Sequence, residues 1–83
     1  MKKVFAKDFL ESNYDLPFGG IDHRILSEDG NGVNHETVFK HGDKFWRFQF
    51  LTFLETSNWY DWDEVECTEV KPVQKIVTEY EIV

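Results

Sequence analysis

Residues 44–54 read KFWRFQFLTFL, and the fold follows from how this stretch is read. It holds four of the eight phenylalanines and one of the three tryptophans. In an extended strand successive side chains point to opposite faces. Trp46, Phe48, Phe50, Thr52 and Leu54 then share one face, which is apolar almost throughout. Phe45, Arg47, Gln49, Leu51 and Phe53 share the other, which begins polar and turns apolar. The reading is a central strand of a small sheet, with cover expected on both faces toward its end.

Upstream, HETVFKH (35–41) alternates as a second strand, and Gly42-Asp43 separates it from the first. A two-residue loop with glycine first is hairpin chemistry and fixes the pairing. His41 then faces Lys44, Lys40 faces Phe45, Phe39 faces Trp46, Val38 faces Arg47 and Thr37 faces Phe48. IDHRILS (21–27) reads as a further strand, and EDGNGVN (28–34) as the turn-rich connection between the two. EVECTEV (64–70) alternates again, with Val65 and Cys67 on its apolar side. VQKIVTEYEIV (73–83) has the composition of a last strand, after the interruption at Lys71-Pro72.

The N-terminal VFAKDFLES (4–12) starts extended and continues as a short helix, with Phe5, Phe9 and Leu10 as a narrow stripe. Two turns are marginal alone and need a sheet to lie on. NYDLPFGG (13–20) is a loop whose Tyr14, Leu16 and Phe18 alternate and ask for packing partners. The expected fold is therefore α+β, mostly β: a four- to five-stranded antiparallel meander with one short N-terminal helix, in a single domain over 1–83. The sheet needs more cover than one helix supplies. A second copy of the chain, as a homodimer, is the other source of it.

Charge bounds the function. The net charge is −7, and it is uneven. Residues 1–54 carry 7 Lys/Arg against 8 Asp/Glu, whereas residues 55–83 carry 2 against 8. A nucleic-acid binder needs a basic surface for phosphates, and an anionic membrane repels an acidic one. Neither direct nucleic-acid binding nor membrane binding is expected. The N-terminus lacks the apolar run of a signal peptide, and no stretch reaches the roughly 20 apolar residues of a span. A lone cysteine cannot form an internal disulfide, so the chain reads as cytoplasmic.

No sequence motif names a reaction. His35 and His41, six residues apart on one strand, would lie about 20 Å apart and cannot share a metal. All three histidines read as solvated strand-end residues. Cys67 alternates with Val65 and reads as a small core residue rather than a nucleophile. No catalytic set, metal site or cofactor is expected.

WYDWDEVECTE (59–69) interleaves aromatics and acids, and supplies the candidate contact surface: Trp59, Tyr60, Asp61, Trp62, Asp63, Glu64 and Glu66. Aromatics dominate interface hot spots, and carboxylates beside them pair with Arg or Lys of a partner. The same residues have a structural reading, in which Trp59 and Trp62 cap one end of the sheet while the acids face water.

From Lys44 to Val83 the chain resembles small acidic proteins encoded by tailed bacteriophages and prophages. The KFWRF strand, the Trp/Tyr/Asp-rich loop and ECTEVKPVQKIVTEYEIV carry the resemblance. It implies a bacterial cytoplasmic setting and not an activity; within that setting small acidic proteins often act by binding a host protein. The missing catalytic motifs and the acidic surface make the expectation a non-catalytic protein that binds and modulates a host protein with a basic surface. Anti-defence inhibition, by mimicry of DNA charge, is the sharper form of that expectation. The alternative is a homo-oligomeric structural or assembly protein that uses its aromatic sheet face.

Overall fold

The computed structural model describes residues 1–73 and 78–83. Five strands form one antiparallel sheet: β1 (Lys2–Ala6), β2 (Asp22–Asp29), β3 (Gly32–His41), β4 (Lys44–Thr52) and β5 (Glu64–Val70), in the order β1-β5-β4-β3-β2. Strand β4 is central, and its hairpin with β3 has the expected register, Phe39 opposite Trp46. Gly42 turns the chain with φ +64° while Asp43 stays at negative φ, the signature of a II′ loop. Helix α1 (Lys7–Tyr14) and residues 15–21 carry the chain from β1 at one edge of the sheet to β2 at the other.

One face is closed. Phe5, Leu10, Leu16, Phe39, Trp46, Phe48, Phe50, Trp59, Val65 and Cys67 form a single buried cluster. The rings meet largely edge to face: Phe5 packs at 5.4 Å against Phe39 and at 5.6 Å against Trp46. Helix α1 lies on this face through Leu10, and Asp15 ends it in the left-handed region at φ 56°. The 15–21 loop is tied down by Thr37 Oγ1 donating to the Pro17 carbonyl at 2.9 Å and by the Ile21 amide on the Val38 carbonyl. Gly20 sits there at φ +93°, where a Cβ would come within 2.6 Å of that same carbonyl oxygen.

Several expectations are corrected. Cover on both faces of β4 is not seen: α1 and the 15–21 loop sit on the Trp46 face, and Leu51 and Phe53 remain exposed. The fifth strand is β1, which pairs with β5 from Lys2↔Thr68 to Ala6↔Glu64, and not the 73–83 stretch. Val73 and residues 78–83 carry no strand; residues 74–77 of that expectation lie outside the described residues. The four later strands do form a meander, with β1 added beside β5. The 28–34 connection is tighter than its composition suggests, since β2 and β3 run to Asp29 and Gly32 around Gly30-Asn31. Asp29 Oδ1 organises that turn by accepting from the Asn31 and Gly32 amides at 2.7 and 3.0 Å. A register shift between Ile25 and Ser27 bulges the edge strand β2.

Candidate interaction surface

Past Arg47↔Thr68 the pairing of β4 with β5 ends, and the two strands splay. The chain between them, residues 53–63, fills the opening with a short 3₁₀ helix (Asn58–Asp61). Side chains replace the missing ladder. Asn58 Oδ1 accepts from the Leu51 amide at 2.9 Å, and Ser57 Oγ donates to the Leu51 carbonyl at 2.7 Å. Ser57 Oγ also caps the 3₁₀ helix by accepting from the Trp59 amide. Lys7 ties the segment to the start of α1, its amide donating to the Asp63 carbonyl at 3.0 Å and its ammonium to the Trp59 carbonyl at 3.4 Å.

Trp59 is 1 % exposed, with its indole 5.4 Å from Phe48 and 5.9 Å from Trp62. Contrary to its expected place in the contact surface, Trp59 has no face left for a partner and anchors the segment in the core. Its Nε1–H, like that of Trp46, is buried without an acceptor among the described residues. Such a donor costs about 1–3 kcal/mol, which the buried area of the ring offsets. Trp62 is half-buried against the core. Tyr60, by contrast, is 70 % exposed, and Asp61, Asp63, Glu64 and Glu66 are all exposed. The two sequence readings of this segment thus divide between residues, Trp59 going to the core and Tyr60 with the carboxylates to solvent.

Tyr60, Trp62, Glu64 and Glu66 line two separate depressions. Trp62, Glu64 and Glu66 line one notch with Gln49, at the point where β4 and β5 part. Tyr60 lies elsewhere, beside Phe18, Phe53 and Glu55 at the end of the sheet. Glu66 pairs with Lys2 at 3.2 Å, but both side chains are solvated and such a pair contributes little.

The histidines depart from the solvated strand-end reading. His35 is buried, stacks on Phe50 at 4.7 Å and shares a 2.9 Å hydrogen bond with His23. Its other nitrogen meets Thr52 Oγ1 at 2.8 Å. Burial, and secondarily the neighbouring His23, hold the His35 imidazole below its ordinary pKa. His41 Nδ1 and the Tyr14 hydroxyl share a hydrogen bond at 2.7 Å. Among the described residues no three His, Cys, Asp or Glu side chains gather as metal ligands. Cys67 is fully buried, and burial together with the Glu66 charge pushes its thiol up to about 12, so it stays protonated at neutral pH. Among the described residues no helix is long and apolar enough to cross a membrane.

Comparison with known protein families, with curated proteins and with solved structures returned no match for this chain.

Proposed function

We propose that the protein is a non-catalytic binding module that engages the basic surface of a host protein through Tyr60, Asp61, Trp62, Asp63, Glu64 and Glu66. The observation that carries this is the notch in which Trp62, Glu64 and Glu66 stand together. An arginine or lysine side chain seated there meets two carboxylates and an aromatic wall, a combination suited to a cation. Trp59 in the core and the Ser57 and Asn58 hydrogen bonds fix the segment beforehand, so little ordering entropy is lost on binding. The bacterial cytoplasm as its setting, and modulation of a host target, rest on the resemblance of residues 44–83.

Affinity capture from bacterial lysate tests the reading. Wild-type protein should retain a basic partner that Glu64→Lys/Glu66→Lys, folded by circular dichroism, does not, and retention should weaken as salt rises. Identical partners for both proteins would reject the surface.

A second reading, self-association in a structural role, is favoured by Leu51, Phe53 and Leu54, which are exposed together at the end of β4. The aromatic face itself is covered within one chain, so the contact would be this uncovered apolar end. Sedimentation showing a monomer at high concentration would reject it.

A further inference from the structure

The sheet face opposite α1 carries a groove of about 470 Å³. Its apolar walls are Ile21, Val38, Phe45 and Val70 with Pro72 and Val73, and Arg24, Glu36 and Arg47 line it with them. The register explains the grouping. Arg24 lies directly opposite Glu36, and Glu36 and Arg47 fall on one face of the neighbouring strands β3 and β4. Glu36 is buried, while Val38, Phe45, Arg47 and Val70 around it are half-buried and Arg24 is exposed. It accepts from Arg24 Nη2 at 3.2 and 3.4 Å, and Arg47 Nη1 stands 3.8 Å from its second oxygen.

One carboxylate thus holds two guanidinium groups side by side without using up their donors. A guanidinium presents five N–H groups. Arg24 commits only Nη2, and Arg47 makes an ion pair through Nη1 alone; their side chains remain 63 % and 41 % exposed. With Lys71, three cations line the groove against Asp22 and the already paired Glu36, a local excess of positive charge in a chain of net charge −7. Paired, pre-oriented guanidinium groups suit the planar oxygens of a carboxylate or the face of a phosphate. The volume lies in the range of small-molecule sites, and the apolar walls suit a hydrocarbon or aromatic body.

We infer that this groove binds a small organic oxyanion, a carboxylate or phosphate monoester joined to an apolar body, with Arg24 and Arg47 as its recognising groups. Glu36 is the positioning residue: it holds the two arginines at one spacing and does not itself meet the ligand. The site is separate from the Trp62–Glu66 notch and does not depend on the function proposed for it.

The test is a titration of the full chain with phenyl phosphate, benzoate and the neutral benzyl alcohol, followed by amide and arginine side-chain NMR shifts. Phenyl phosphate or benzoate should give saturable shifts at Arg24, Val38, Arg47 and Val70 with dissociation constants of about 1–10 mM. Arg47→Gln and, separately, Arg24→Gln should each weaken this at least about tenfold while keeping the dispersed wild-type spectrum. Lys2→Gln, outside the groove, should change nothing. The difference between the phosphate and carboxylate arms identifies which oxyanion is preferred. Equal shifts with benzyl alcohol, no saturation with either anion, or unchanged affinity in whichever arginine variant keeps the native spectrum would each overturn the inference.

Discussion

Leu10 is the fully buried residue of α1, and its removal gives the sharpest test of which face the helix covers. It is fully buried, within the cluster that holds Phe5, Phe39 and Trp46. Transfer of a leucine side chain from water contributes about 1.5–3 kcal/mol. Truncation to alanine adds the cavity left behind, bringing the cost of Leu10→Ala to about 3 kcal/mol. A chain of this size has about 4–12 kcal/mol in all, so the loss is a large share. Ser12→Ala, exposed on the same two turns, should stay within about 0.5 kcal/mol of wild type. Urea unfolding followed by far-ultraviolet circular dichroism and by tryptophan fluorescence reads both. The Leu10→Ala midpoint should fall by about 1–3 M with an unchanged slope. The two signals should move together, because Trp46 and Leu10 share one core. A Leu10→Ala midpoint equal to that of Ser12→Ala would refute the docking of α1 on the Trp46 face.

Other consequences follow from the same packing. Cys67 should resist Ellman's reagent in native buffer and react fully in denaturant; rapid labelling of the native protein would contradict its burial. Because the His35 pKa is lowered on folding, the unfolded chain takes up the proton more readily. His35 therefore contributes stability above pH about 6.5 that is lost as pH falls toward its folded value. Urea midpoints should drop over that window in wild type and drop less in His35→Gln; equal pH dependence would contradict this. Thermal melts should rank Gly20→Ala as more damaging than Gly42→Ala or Gly30→Ala, since it meets both a positive φ and the Val38 carbonyl. Gly42→Ala, with open space but φ +64°, should cost about 1–2 kcal/mol, and Gly30→Ala, with neither problem, should be neutral or slightly stabilising. A melt in which Gly30→Ala falls as far as Gly20→Ala would refute that ranking.

What the sequence made legible is what local chemistry decides. The β3–β4 hairpin could be read to the residue because Gly42-Asp43 sets a loop length and period-two alternation sets the faces. Strand β5 was readable from Val65 and Cys67 for the same reason. The misses share a different cause: each depends on a partner that the local pattern does not name. KKVFA has two lysines and a single buried side chain, and it becomes a strand because β5 offers it an edge. TEYEIV has strand composition and yet pairs with nothing among the described residues. His23 and His35 come together only through the β2–β3 register. In the candidate surface, the mixture of aromatics and acids was visible, but the division between Trp59 and Tyr60 was not. A single 3₁₀ turn follows neither the two-residue period of a strand nor the 3.6-residue period of a helix.

The anchoring of Trp59 is what pre-forms the proposed surface, and hydroxyl-radical footprinting read by mass spectrometry measures it on the free protein. Tyr60 should be modified fastest and Trp62 at an intermediate rate, while Trp59 and Trp46 should be protected until the chain unfolds. Modification of native Trp59 as fast as Tyr60 would mean that the segment is not anchored and that no pre-formed surface exists.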